Sequence, residues 1–489
     1  MSSLTPVQPA RNRRRQIGAE KRTHPLPAVH SRPTDGQIAW SRIAIVLTIV
    51  LWALYVVTTV LREFIDHGTG DFRFVMESAS YVVVVTFLTF SALMYLVARQ
   101  GALLRFRAHV RVPRAELDRH FADTTDSITV LVPSYAEETA VVRATLWSAA
   151  LQEFPSLRVV LLLDDPPTPT DELDITRLTA TRSLASDIQT ALQAPRERFT
   201  DALLRLQWET VNGGEPPVGA IDDLADDYRW AASWLFSMAM TEAVEDHVDE
   251  FFAEQVLRAL GRDLSVTADA LEASIAADQL PDLATIRALR RRLARIFDAE
   301  LATFERKSYA SLSHEANKAM NLNSYIGLMG GSYVVDESPS GRVLRSVEHG
   351  TKADLDVPDT TYVLTLDADS LLLRDYCLRL VYLLEQPENE RVAVTQTPYS
   401  AFRGAATRIE RLAGATTDLQ HILHQGFSHY GAAFWVGANA VIRKRALDDI
   451  VELDTVGGFP VRRYVQDRTV IEDTESSIDL GMHDWRIVS

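Results

Sequence analysis

Asp367-Ala-Asp369 follows the apolar run TYVLTL (361–366), so a pair of carboxylates stands where a strand is expected to end. Such a pair can share a hard divalent cation, and in open α/β sheets ligands bind outside the carboxyl ends of the strands. Other strand ends carry polar groups as well: Ser134, Tyr135 and Glu137 follow SITVLVP (127–133), and Asp164-Asp165 closes LRVVLLL (157–163). Singly, each reads equally as a helix cap or a solvated turn. Together they predict a cleft lined with oxygen donors. Glu472-Asp473, between Val470-Ile471 and TESSIDL (474–480), reads alone as a helix start whose acids complement the macrodipole. Only together with the other acids does it become a functional candidate.

The elements that must position these groups are legible as a pattern. Strand 127–133, the helically spaced ETAVVRATLWSAALQE (138–153) and strand 157–163 begin a doubly wound α/β sheet. Uniformly apolar strands fit a sheet covered on both faces. The pattern resumes at 361–366 and continues through a helical stretch holding Cys377, then VAVTQ (392–396), FWVGANAVIRKRAL (434–447) and VIEDTESSIDL (470–480). Between the two parts, residues 170–312 are helical in composition, acidic, and broken by the turn-like NGGEPP (212–217). They are expected to form a helical insertion: a solvated subdomain, a lid, or a spacer with exposed acidic helix faces.

At 489 residues the chain is too long for a single core. Its formal net charge of −16 argues against a nonspecific nucleic-acid binder, which needs clustered Lys and Arg. The single cysteine, Cys377, rules out an intramolecular disulfide and is read as a packing residue. Residues 43–61 and 79–98 are nearly uncharged apolar runs, each long enough to cross a ~30 Å hydrocarbon core. Basic residues flank the pair, RNRRR (11–15), Lys21 and Arg22 before it and Arg99, Arg105, Arg107, Arg111 and Arg114 after it, while the connecting REFIDHGTGDFRF (62–74) is slightly acidic. The positive-inside rule then predicts both ends in the cytoplasm, hence a multi-pass inner-membrane protein whose main domain is cytoplasmic.

Taken in order, the motifs resemble those of family 2 glycosyltransferases of GT-A fold, in particular the cellulose, hyaluronan and chitin synthase-like members. The family's P-[ST]-Y-N-E is similar to Pro133–Glu137, with Ala136 for Asn, and its D-D-G to Asp164-Asp165 followed by Pro166. K-A-G-N-x-N is matched by Lys318, Ala319, Met320, Asn321, Leu322 and Asn323, and D-x-D by Asp367 and Asp369. G-x-N-A-x-x-R-R is similar to Gly437, Asn439, Ala440, Arg443 and Lys444, and T-E-D to Glu472-Asp473 preceded by Ile471.

The resemblance implies a nucleotide-sugar site formed by Ser134, Glu137, Asp164, Asp165, Lys318, Asn321, Asp367 and Asp369. Asp367 and Asp369 would serve a Mg²⁺ or Mn²⁺ ion, and Asp473 would act as general base. It implies a UDP-sugar donor, a glycan or lipid-linked acceptor, inversion at the anomeric carbon, and other subunits of a synthase or export complex as partners. Glu472, Trp435 and Trp485 are candidate acceptor contacts, although the tryptophans read more readily as core packing. His421, His424 and His429 form no metal triad by spacing.

The expected layout is a disordered tail (1–38), two membrane helices (39–100), the first part of a GT-A domain (101–169), the insertion (170–312) and the second part (313–489). The sequence stops before the family's Q-x-x-R-W element and its later membrane helices. Extension of a β-linked polysaccharide is therefore expected alongside two alternatives: a single transfer to a polyprenyl phosphate, or an inactive, truncated assembly partner.

Overall fold

A computed structural model describes residues 32–68, 70–210, 219–339, 341–348, 350–397, 399–402, 404–456, 458–468 and 472–489, with the backbone alone at His67 and Glu472. Most of the tail, the 212–217 turn and Val470-Ile471 lie outside the described residues. The chain divides into two units, Met1–Arg111 with Pro398–Ala433 and Ser489, and Val112–Thr397 with Phe434–Val488.

The first unit is helical. Thr34 caps the helix Asp35–Tyr55, accepting from the Gln37 amide at 3.2 Å while Gln37 Oε1 accepts from the Thr34 amide at 2.8 Å. Helical structure therefore begins at Asp35, inside the tail expected over 1–38. A π-type turn, Val56–Leu61, carries it on to His67, and a second helix spans Phe72–Ala108. Both are long and apolar enough to cross a membrane. Leu47, Val50, Phe87 and Leu88 all face outward, a distribution suited to hydrocarbon rather than water. A third helix, Arg408–His429, crosses the second at paired glycines. A Cβ on Gly426 would lie 2.0 Å from the Ala98 carbonyl oxygen, so only glycine permits this approach.

The second unit is built on a sheet. Its strands are β1 (Ile128–Ser134), β2 (Leu157–Leu163), β3 (Glu300–Glu305), β4 (Gly331–Ser338), β5 (Gly341–Val347), β6 (Leu355–Val357), β7 (Tyr362–Thr365), β8 (Val392–Gln396), β9 (Ala440–Arg443), β10 (Glu452–Val456), β11 (Phe459–Arg463) and β12 (Arg486–Val488). The seven-stranded central sheet has the order β12-β8-β9-β7-β1-β2-β3; β4–β6 and β10–β11 form small antiparallel sheets beside it. Pairing is parallel except on the two sides of β9, where it is antiparallel. The sheet is therefore mixed and mostly parallel, as expected. Cys377 is fully buried in the helix Tyr376–Glu385.

Two findings differ from the sequence reading. β3 lies within the range assigned to the insertion, as a parallel edge strand beside β2. Only Phe304 of its residues is buried, so it lacks the apolar run that marks the inner strands. The helices Glu172–Glu209, Ala220–Thr241, Ala259–Ala276 and Leu283–Ile296 are also no detached subdomain or lid. Their Leu178, Leu192, Leu224, Leu264 and Leu293 share one apolar core with Ile128, Val159 and Leu161 of the sheet. Most of the acids that colour the composition lie on the outer faces, Asp227 being buried against Arg198 and Arg290, and the segment is an enlarged crossover from β2 to β3.

A buried ionic knot fastens this crossover. Glu153, with no side-chain exposure, accepts from Arg292 at 3.0 and 3.2 Å and pairs with Arg114, while Arg292 also pairs with Asp263.

Candidate active site

The strand order reverses direction at β1. The chain passes from β1 to β2 on one side and later sets β7 on the other, so the crevice outside the carboxyl ends of β1 and β7 is a topological switch point. Tyr135-Ala136-Glu137 leaves β1 there, and Asp367-Ala368-Asp369 leaves β7. Partial burial raises the Glu137 carboxyl above its ordinary range, reinforced by the charges of Asp369, Asp367 and Glu138. Carboxylates from separate strand ends thus share one electrostatic neighbourhood. Ala136 sits at φ +55°, and its N–H reaches both Asp165 oxygens at 3.3 Å.

Lys318 is the first residue of the helix Lys318–Ile326, which Asn317 caps by accepting from the Met320 amide at 2.6 Å. Its ammonium pairs with Asp367 Oδ1. Among the described residues, no group of three or more His, Cys, Asp or Glu side chains is arranged to hold a metal ion. Asp367 and Asp369 remain a two-carboxylate platform, Asp369 exposed and Asp367 half-buried.

Asp164 lies under the surface. Burial raises its pKa, opposed by Arg306, whose Nε donates to Oδ1 at 2.7 Å, and by Lys307, whose Nζ is 3.4 Å from the same oxygen. Arg306 has no exposure and also donates to the carbonyls of Ser313 and Glu315. It thereby ties the end of β3, the end of β2 and the loop leading to Lys318. Sequence reasoning passed over Arg306 and Lys307 because β3 itself was not recognised; a basic pair after a strand end was the signal available.

Asp473 occupies the same edge of the sheet. Thr365 and Gln396 both pair with Ala440, so the segment 434–439 enters β9 beside the ends of β7 and β8. Gln396 grips this segment, donating to Phe434 O at 2.7 Å and accepting from the Val436 amide at 3.0 Å. Asp473 is half-buried on the helix Glu472–Met482, and its Oδ1 accepts from the Thr474 amide at 2.8 Å. Its Oδ2 lies 3.1 Å from where a Cβ on Gly437 would stand, and Gly437 has φ +82°. A cation pair, an acid platform and a second, separately mounted carboxylate therefore share the carboxyl edge of the sheet. Residues 362–489, from β7 through Asp473 to β12, match Glycosyl transferase family group 2.

The protein is a glycosyltransferase. No curated protein matches the chain. The matched region includes Asp367, Asp369 and Asp473, whereas the β1 and β2 loops and Lys318 stand outside it. The architecture of the transferase is that of a GT-A domain preceded by two apolar helices.

The remaining candidates separate. Ser134 is buried at the end of β1, level with Leu163. Asn321 is 1% exposed and donates to Leu162 O at 3.0 Å, so its amide group addresses β2 rather than open solvent. Asn323 binds the 464–465 backbone through three hydrogen bonds. Trp435 and Trp485 do not offer a face to a sugar, correcting their assignment as acceptor contacts. Trp435 is 1% exposed, and Trp485 packs between the Arg391 and Arg445 guanidinium groups while donating to Asp449 at 2.9 Å. The side chain of Glu472 lies outside the described residues.

Proposed function

We propose that the transferase is an inverting enzyme that takes a UDP-sugar and extends a β-linked polysaccharide at the cytoplasmic face of a membrane. The observation that carries this reading is the convergence of Glu137, Asp367 and Asp369 at the β1/β7 switch point, with Asp473 mounted on the same edge. In this reading the β1 and β2 ends receive the nucleoside. Lys318 turns from Asp367 to the diphosphate. Asp473 removes the acceptor hydroxyl proton as that oxygen bonds to the anomeric carbon and the bond to the UDP oxygen breaks. Attack opposite the leaving group inverts the configuration.

Mg²⁺ or Mn²⁺ fits Asp367 and Asp369, because such ions take one or two carboxylates and complete their shell with substrate phosphates and water. Bound there, the ion supplies Lewis-acid stabilisation of the departing nucleoside diphosphate. Asp369 and Asp367 would hold it, and after burial it is the negative charge of these two groups and Glu138 that raises Glu137, a local crowding of acids, met at Asp367 by Lys318, that favours a cation. The two apolar helices and their basic flanks support attachment to the membrane with the sheet domain in the cytoplasm.

The test is release of UDP by membranes containing the protein, across a panel of UDP-sugars with Mg²⁺ or Mn²⁺. One sugar should support turnover, and Asp369→Asn and Asp473→Asn should each lower it by about 10²-fold or more. The Asp473 variant should still bind donor. Absence of turnover with every sugar by folded, metal-loaded protein would overturn the reading. A lipid-extractable monoglycoside in place of polymer would replace it with single transfer to a polyprenyl phosphate.

A further inference from the structure

The first helix of the crossover delivers a cation to the nucleoside end of the proposed site. Arg177 Nη2 lies 3.2 Å from Asp165 Oδ1 and 2.9 Å from Asp174 Oδ1. The Asp165 side chain is 8% exposed and that of Arg177 30%, so the guanidinium is the more open half of the pair. Asp165 is also reached by the Ala136 amide from the end of β1. The guanidinium is thus held at the carboxyl edge between β1 and β2.

The helix that carries Arg177 is anchored independently. Asp171 caps it, accepting from the amides of Leu173 and Asp174 at 2.9 and 3.2 Å. Arg182, one and a half turns on, binds both oxygens of Glu305 at 2.7 and 2.6 Å and the Pro167 carbonyl at 2.9 Å. Thr181 and Thr139 join hydroxyl to hydroxyl at 3.1 Å. Neither the docking of this helix nor the N-cap requires Arg177.

We propose that Arg177 is a donor-positioning residue, which fixes the Asp165 carboxylate in one orientation so that it accepts hydrogen bonds from the nucleoside half of the nucleotide-sugar. With Oδ1 held by Arg177 and the Ala136 N–H shared between the two oxygens, the lone pair left on Oδ2 is available to the imide N–H of uracil or a ribose hydroxyl. A carboxylate pinned from a second element loses no rotamer freedom when the ligand arrives. The crossover therefore acts as part of the donor site, although it contributes none of the motifs read from the sequence. This inference rests on the donor reading above.

UDP binding at equilibrium and donor kinetics, with Arg177→Ala, Arg177→Lys, Asp165→Asn and Arg182→Ala, test it. Loss of a hydrogen bond to a charged group should raise the UDP dissociation constant and the donor KM by about tenfold in Arg177→Ala. Turnover at saturating donor should stay within about twofold of the parent, as expected for loss of ground-state binding alone. Arg177→Lys should recover part of the affinity, since a single nitrogen makes both contacts. Asp165→Asn combined with Arg177→Ala should weaken binding no further than Asp165→Asn alone, because Arg177 acts through that carboxylate.

Unchanged UDP affinity in Arg177→Ala, with weakened affinity in Asp165→Asn, would overturn the inference and leave the donor reading standing. So would a joint fall of kcat and thermal stability matching that of Arg182→Ala, which would assign Arg177 to helix docking. Failure of the parent protein to bind UDP would overturn the donor reading and the inference together.

Discussion

The ammonium of Lys318 is ion-paired with Asp367 Oδ1, joining the first residue of one helix to the first carboxylate beyond β7. Each side chain is about one-third exposed, so the pair is open to exchange with a ligand. In the proposed cycle the lysine and a metal ion compete for Asp367 until a diphosphate satisfies both. Removing the lysine should therefore act in opposite directions on two measurements. Lys318→Ala should bind Mn²⁺ more tightly in the absence of donor, by titration, and should lose about 10²-fold in kcat/KM with donor present. Equal loss of metal and donor affinity would contradict the competition.

Glu137 provides a pH signature. Its folded-state pKa is raised, by burial first and then by Asp369, Asp367 and Glu138. A raised carboxyl costs nothing below its unfolded value of ~4.3, and the cost grows as pH rises through the folded value. Glu137→Gln should consequently raise the melting temperature at neutral pH and leave it unchanged near pH ~3. Mn²⁺ should stabilise the parent protein at neutral pH and do so less in acid. Thermal melts across pH, with and without Mn²⁺, read both.

Glu153 behaves in the opposite sense. Complete burial would raise its pKa, but Arg292 and Arg114 together hold it down to about 2. The stabilisation is present above the unfolded value of ~4.3 and disappears as pH falls towards about 2. Replacing one partner leaves buried charge without compensation, and Glu153→Gln should cost roughly 3–5 kcal/mol at neutral pH by urea denaturation. The difference from the parent should shrink in acid.

Gly437 lies against the carboxylate assigned as base. At φ +82°, alanine is strained by about 1–2 kcal/mol, and its methyl would press on Asp473 Oδ2 at 3.1 Å. Gly437→Ala should lower kcat while leaving UDP affinity near that of the parent, since β1, β2 and Lys318 are untouched. A fall in UDP affinity with kcat preserved would detach Asp473 from the chemical step.

The elements most legible in the sequence were those buried on both faces. β1, β2, β7 and β8 are almost wholly buried, and each reads as an apolar run ending at polar residues. β3 escaped because an edge strand needs no such run, and with it went Arg306, whose partner Asp164 is distant in sequence and adjacent only in the sheet. The crossover was misread because its buried leucines are outnumbered by outward-facing acids, a distinction visible only once the faces are known. Trp435 and Trp485 were ambiguous for a related reason: an aromatic ring suits a core and a sugar equally, and burial decides. Arg177 carried no sequence signal, because its meaning comes from the helix that returns it to Asp165.

The wide separation of β2 from β3 also sets an order of events in synthesis. Loop closure costs only ~0.6 kcal/mol for each doubling of length, so the finished sheet is little weakened by the long crossover. The consequence falls on time. At translation rates of about 5–20 residues per second, the outer edge of β2 waits on the order of ten seconds for its partner. Until Glu300–Glu305 arrives, the nascent chain presents a row of unpaired backbone groups on one of its most apolar segments, Leu157–Leu163. That edge, and the β1 edge that waits still longer for Tyr362–Thr365, are where misassembly of the newborn protein should begin.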